Sequence, residues 1–211
     1  MGDTIGIEDI GRMIRSAADL IRANRDELSK LDSAIGDGDH GTTIARAMTI
    51  AEKHIEESEK EELKGLLKDV GWGVMGVDGG ATGPLLGSFL MGLSNGVSEE
   101  NEIDCKTMAV MFEAGLAGVR RQSKAQVGDK TMMDALLPAI DVIRQTADAG
   151  KTIKEALQKA AEAAEKGAVS TKEFKARFGR ARNLGDRTIG FQDPGATSMA
   201  LIFRGFFEGL L

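Results

Sequence analysis

Asp32, Asp37 and Asp39 fall within eight consecutive positions of the string Leu31-Asp32-Ser33-Ala34-Ile35-Gly36-Asp37-Gly38-Asp39-His40-Gly41. Carboxylate oxygens are hard ligands, and Mg²⁺ in particular takes a few of them and completes its shell with water and substrate phosphates. Glycines at 36, 38 and 41 let the backbone turn tightly enough to aim Asp37 and Asp39 at one point. The same residues also suit an Asp/Gly loop that only caps the next helix, and the residues alone leave both readings open. An EF-hand is excluded: counted from Asp37, the position of the bidentate Glu falls on Met48.

Three further stretches bear on an anion. A helix is expected to start at Gly41-Thr42-Thr43, where free N–H groups and the helix dipole favour negative charge; a plain Thr cap is the alternative. His40 beside it either positions a phosphate or is a hydrogen-bonded loop residue. Asp78-Gly79-Gly80-Ala81-Thr82-Gly83-Pro84 is a second Gly-rich approach to a helix, with backbone N–H groups able to cradle a phosphate. The third is Gly179-Arg180-Ala181-Arg182 with Asp193-Pro194-Gly195. Arg180 offers a bidentate contact to phosphate, and Asp193-Pro194 reads as an N-cap followed by a first helical residue. Gly128-Asp129-Lys130-Thr131 has the residues of a Walker ending in the wrong order, with no suitable strand before it.

The elements that must hold these loops are helical. Ile7, Ile10, Ile14, Ala17, Ile21, Leu28 and Leu31 recur in steps of three and four and predict one long amphipathic helix, its stripe interrupted once at Asn24. Further helices are predicted over Thr42 to Ser58, Glu61 to Val77, Thr82 to Leu93, Cys105 to Ser123, Thr131 to Ala147 (bent or accommodated at Pro138), Thr152 to Ala168, and Pro194 to the end. No β-branched alternation appears. The expected fold is all-α, an antiparallel bundle or barrel of eight helices in a single domain over residues 1–211. In an up-and-down arrangement alternate helix ends lie together, so the three Gly-rich loops can meet on one rim.

Composition narrows the function. A chain of 211 residues buries a sizeable core without disulfides, and its one cysteine, Cys105, cannot pair internally. Both facts suit a cytoplasmic protein. No signal-peptide pattern and no apolar run near 20 residues is present, which argues against a membrane protein. A net charge of −6, one Trp and no Tyr argue against nucleic-acid binding. Gly at 27 residues against 3 Pro fits closely packed helices and ligand-approaching loops better than linkers.

Four linked strings resemble the dihydroxyacetone kinase L-subunit family: GDGDHG with Asp32 five residues before Asp37, GGATGPLLGSF from Gly79, KAQVGDKTMMDALLPA from Lys124, and GRARNLGDRTIGFQDPGATS from Gly179. Their order and spacing run along essentially the whole chain. The resemblance implies an eight-helix barrel with a nucleotide, ADP or ATP, at one rim. It implies two Mg²⁺ ions on Asp32, Asp37 and Asp39. His40, Gly41, Thr42, Thr43, Ala81 and Thr82 would line the phosphates, and Met132 the adenine. Arg180 and Asp193-Pro194-Gly195 would complete the site. Four positions depart from the pattern: Ser123 stands at a nucleotide contact where Gly is expected, Asn183 where an aromatic is, Phe191 where a His is, and Asp78 where a small or apolar residue is.

The resemblance further implies phosphoryl transfer to a ketose held on a separate K subunit, with no sugar site on this chain. Two donor schemes follow. In the first, which is preferred, ADP stays bound as a coenzyme and is rephosphorylated by a phosphotransferase-system protein fed by phosphoenolpyruvate; in the second, free ATP binds and ADP leaves. A homodimer is open. A non-catalytic nucleotide-binding adaptor is the rival from another class. A fatty-acid kinase domain is disfavoured, because that group has GDTG where this chain has Gly38-Asp39-His40-Gly41.

Overall fold

The computed structural model describes residues 4–59, 62–97 and 101–211. The stripe of the first predicted helix is divided between two: α1 (Ile7–Ala23) and α2 (Arg25–Ile35). Asn24 is the cause. Its Nδ2 donates to the Leu20 carbonyl at 2.8 Å, and its own N–H is shared between Leu20 and Ile21. A side chain that competes for helical carbonyls in this way ends a helix where the apolar period alone would continue it. The other helices are α3 (His40–Glu56), α4 (Leu63–Met75), α5 (Thr82–Leu93), α6 (Cys105–Gln122), α7 (Met133–Asp148), α8 (Ile153–Ser170) and α9 (Pro194–Glu208). They match the expected set to within about two residues at most ends, except that the expected start at Glu61 lies outside the described residues. Among the described residues there is no strand, only one isolated antiparallel bridge between Ile5 and Ile103.

Local chemistry starts the helices where they start. Asp104 caps α6 by accepting from the Thr107 N–H at 2.8 Å, and Thr152 with Glu155 forms a capping box on α8. Asp193 caps α9 by accepting from the Ala196 N–H at 2.7 Å, with Pro194 in the first turn. Pro138 stays inside α7. It removes the helical donor to the carbonyl of Asp134, and that carbonyl faces Gly167 of α8, where a Cβ would collide. A glycine on the neighbour thus makes room at the turn the proline weakens.

Each helix from α3 onward packs on the next, and α9 returns to pack on α1. Because α1 and α2 both lie against α3 and α9, they fill one station of a closed ring of eight. Successive stations alternate in direction, through connections that are short except for the longer ones before α6 and α9. The centre is filled by Phe112 of α6, whose ring lies 6.0 Å from Phe89, 5.7 Å from Phe203 and 6.1 Å from Phe206. Edge and tilted ring pairs of this kind add to the area they bury.

Closure between α1 and α9 depends on a backbone approach. A Cβ at Gly205 would run into the backbone of Ala17, which cannot step aside as a flexible side-chain tip could. Gly205→Ala is therefore expected to lower stability by about 1–3 kcal/mol, read as a reduced midpoint in urea unfolding followed by circular dichroism. An unchanged midpoint would show that the ring closes without this contact.

Candidate functional site

The alternation gathers the connections α2–α3, α4–α5, α6–α7 and α8–α9 on one rim. They enclose an open cavity of about 360 Å³, a size suited to a small-molecule ligand. Its wall is apolar on the inner side, with Ile35, Leu85, Val119, Met132, Met199 and Ile202. Its mouth is polar, with the aspartates of the α2–α3 connection, Thr82, Ser123 and Arg180.

Asp32 organises the acidic corner from the last turn of α2. Its backbone carbonyl accepts from the Gly36 N–H at 2.5 Å, and its Oδ2 accepts from the His40 N–H at 3.1 Å. The loop between is thus held at both ends, and Gly38 takes the left-handed φ of 82° that turns it. One carboxylate oxygen from each of Asp32, Asp37 and Asp39 then lies within 4.8 Å of the others. Three carboxylates with no thiol or imidazole among them are the donor set of a hard divalent cation, so these residues fit Mg²⁺. The Arg180 guanidinium comes down on the same cluster from the α8–α9 connection. It pairs with Asp37 and lies 3.5 Å from Asp39.

His40 is held in one orientation. Ser198 donates its hydroxyl proton to the Gly195 carbonyl at 3.0 Å, so its oxygen is left to accept from His40 Nε2 at 3.0 Å. His40 Nδ1 then accepts from the Thr82 hydroxyl at 3.3 Å. Burial holds the His40 pKa below the usual histidine value despite the nearby Asp32. The neutral ring links α3, α5 and α9 behind the acidic corner, so it braces that side of the cavity.

Among the described residues, α3, α5, α7 and α9 all present their N-termini to this rim. Neither Asp39 ahead of α3 nor Ala81 ahead of α5 closes the first turn with a side-chain hydrogen bond. Backbone donors and helix dipoles therefore face the cavity beside the carboxylates, and an anion with a bound cation satisfies both.

The residues singled out from sequence come together with three exceptions. Asp32, Asp37, Asp39, His40, Ala81, Thr82, Ser123, Met132, Arg180, Asp193, Pro194 and Gly195 all border the cavity. Gly41, Thr42 and Thr43 do not. Gly41 packs on the backbone of Arg25 and Ser29, the buried Thr43 packs on Gly79, and Thr42 is exposed.

Two residues of weight were missed. Lys130 is 2% exposed, and its Nζ donates to the carbonyls of Thr171, at 2.5 Å, and of Phe191. Asp134 is fully buried and accepts from the N–H groups of Gly128 at 2.6 Å and Thr131 at 2.7 Å, while burial raises its pKa. Only the Asp three residues after Thr131 hinted that this stretch is a capped turn rather than a disordered Walker string.

Comparison with known proteins follows this geometry. Residues 34–208 match the family model described as the DAK2 domain. The chain is 36% identical over 197 residues to the "PEP-dependent dihydroxyacetone kinase 1, ADP-binding subunit DhaL" of Listeria innocua, covering 93% of each chain. It is 34% identical over 186 residues to the corresponding ADP-binding subunit of Escherichia coli, covering 88% of this chain and 89% of that one. The solved dihydroxyacetone kinase of C. freundii in complex with AMP-PNP and Mg²⁺ has the same fold over 94% of this chain, with a TM-score of 0.70 and 24% identity. This chain spans about a third, 33%, of that longer protein.

Asp193 gives the site a measurable pH signature. Burial pushes its pKa up to about 7, opposed by the Ala196 N–H and by Lys130. Its folded pKa lies above its unfolded value of 3.8. Its contribution to stability is therefore full below that value and is lost as pH rises through about 7. Asn keeps the cap but cannot ionise. The stability of the wild type relative to Asp193→Asn should fall by about 2–4 kcal/mol between pH 4 and pH 7.5, measured by urea unfolding across that range. A difference independent of pH would mean that Asp193 stays ionised in the folded protein.

Proposed function

The chain belongs to the DAK2 domain family, and from that premise we propose that it is the nucleotide-binding subunit of a dihydroxyacetone-type kinase. The observation that carries this reading is the meeting, in one rim cavity, of three carboxylates and the N-termini of α3 and α5, whose N-cap residues Asp39 and Ala81 make no side-chain cap. A single nucleotide-binding domain over residues 1–211 is the organisation we propose with it.

In this reading Asp32, Asp37 and Asp39 hold two Mg²⁺ ions, and the ends of α3 and α5 that border the cavity, at His40, Ala81 and Thr82, receive the phosphates, while Gly41, Thr42 and Thr43 stand outside it. Met132 and Ser123 flank the base, while Arg180 and Asp193-Pro194-Gly195 close the site. When bound, the Mg²⁺ ions would offset charge on the phosphates and orient them. The protein's own part is positioning. His40, fixed by Thr82 and Ser198, keeps α3, α5 and α9 in register, and Arg180 adds a positive charge at the mouth. The apolar inner wall excludes water from the base.

The ketose belongs on a separate K subunit. Phe178, Ile189 and Phe191 are exposed around the rim, at 37%, 49% and 44%, and suit a surface that docks a partner protein. ADP as a tightly bound coenzyme, rephosphorylated by a phosphotransferase-system protein from phosphoenolpyruvate, is the preferred donor scheme. It is supported by the similarity of this chain to the ADP-binding subunits of PEP-dependent kinases, which it covers over most of their length. Among the described residues no helix is long and apolar enough to cross a membrane. With such partners the chain would act in the cytoplasm.

The deciding experiment is to denature the purified protein and identify any nucleotide it releases by chromatography and mass spectrometry. Near-stoichiometric ADP is expected. Empty protein that binds Mg²⁺-ATP reversibly would favour the ATP scheme, and protein that binds no nucleotide would overturn the reading. Asp37→Asn should retain the helical circular dichroism spectrum and weaken Mg²⁺-nucleotide binding by about one to two orders of magnitude, as expected when an anionic ligand of the cation is lost. Without a K subunit, no phosphorylation of dihydroxyacetone is expected.

A further inference from the structure

Residues 172–190 leave the ring after α8 and return just before α9, carrying Phe178, Gly179, Arg180 and Ala181 to the cavity. The two ends of this excursion meet at a neck. The Gly190 N–H donates to the Lys172 carbonyl at 2.7 Å, and the Asp193 N–H donates to Thr171 Oγ1 at 2.9 Å. Lys130, from a different connection, inserts between the two sides. Its ammonium donates to the carbonyl of Thr171 on one side and of Phe191 on the other. From the geometry we infer that Lys130 is a positioning residue: it clasps the neck of the 172–190 excursion and thereby sets Arg180 over the carboxylates of Asp37 and Asp39. This inference rests on the nucleotide-binding reading above and adds to it a residue that touches neither cation nor phosphate.

Three features set Lys130 apart from a lysine that is buried by chance. Its backbone takes the left-handed φ of 61°, which non-glycine residues seldom adopt. The turn that imposes this φ is built by buried acids: Asp134 accepts from Gly128 and Thr131, and Asp129 accepts from the Gln126 N–H at 2.9 Å. Asp129 also reaches the excursion directly, since its carbonyl accepts from the Arg177 N–H at 3.1 Å. Burial lowers the Lys130 pKa, and Asp193 and Asp134 oppose that shift, which leaves a compact donor held against two carbonyls. From Lys172 to Phe191 the side chains of the excursion are mostly exposed; its inner ties are the Ala176 N–H donating to Thr188 Oγ1 at 3.0 Å and the Lys175–Asp186 pair at 2.9 Å, both within the excursion and neither reaching its neck.

The test compares wild type with Lys130→Met, which keeps an unbranched stem of similar reach and removes the terminal donor. Three readouts are taken: Mg²⁺-nucleotide affinity by calorimetry, Mn²⁺ affinity without nucleotide by electron paramagnetic resonance, and the rate of tryptic cleavage. Lys172, Lys175, Arg177, Arg180, Arg182 and Arg187 make the excursion a sensitive trypsin target once its neck opens. The expected result is about tenfold weaker nucleotide binding and about tenfold faster cleavage within 172–190, with helical content preserved, because only a local unit is released. Mn²⁺ affinity should hold or rise, since its carboxylates stand on α2 and the loop before α3 and lose a competing Arg180.

Nucleotide affinity equal to that of wild type would overturn the clasp. So would a parallel loss of Mn²⁺ binding, which marks general damage rather than lost positioning. If Lys130→Met does not fold, Lys130→Gln retains amide donors on a shorter stem. It should give the same ordering of effects at smaller size, and wild-type behaviour in all three readouts would overturn the inference. If wild type itself binds no nucleotide, the proposed function falls first. The cleavage comparison still decides whether Lys130 holds the neck.

Discussion

The whole site depends on strict alternation of direction around the ring. With eight stations that alternate in direction, every second helix points its N-terminus at the same rim, and here those helices are α3, α5, α7 and α9. Each brings backbone donors and the positive end of a dipole to one place. The rim is therefore anion-seeking before any side chain is counted, although the protein carries a net charge of −6. The three aspartates make sense only against that background. Placed alone at such a rim they would repel the phosphates the helices attract, whereas with divalent cations between them they become part of the same binding surface.

Ring closure in turn rests on residues with little or no side chain. Gly71 of α4 lies against the backbone of Met91 and Gly87 of α5 against Met75, while Gly118 of α6 faces the Ser88 carbonyl. These contacts let α4, α5 and α6 approach closely enough to narrow the cavity from one side. On the opposite side, Gly167 approaches Asp134, the acid that shapes the turn holding Lys130. Helix packing and site geometry are thus joined through Asp134. Its carbonyl faces α8 while its carboxylate folds the loop.

The helices were legible from amphipathic period: the stripe from Ile7 marks the buried face of α1 and α2, the helices from about Cys105 and Thr152 stand where expected, and the Asp193-Pro194 start appears as written. The aspartate cluster was legible because glycines in a short loop leave carboxylates few directions to point. The division at Asn24 was not, since it turns on a side chain competing for a carbonyl four residues away, which apolar period does not register. Lys130 was hidden for a different reason. A lysine is ordinarily placed in solvent, and its partners, the carbonyls of Thr171 and Phe191, are backbone atoms that leave no mark in the identity of the residues that bear them.

The packing of α9 back onto α1 has a consequence for how the protein responds to its ligand. The cavity borders come from positions as far apart as Asp32 and Ile202, so no fragment of the chain contains the site, and closure joins the earliest helix to the last. A ligand that recognises only the closed ring binds the native state and no partly folded one, and by mass action its binding energy is added to the stability of the entire ring rather than to the loops it touches. Saturation with ligand would then slow opening at the α1–α9 seam, including its contact at Gly205 and Ala17 beyond the cavity lining. Occupancy of the rim becomes a setting for the lifetime of the folded chain as a whole.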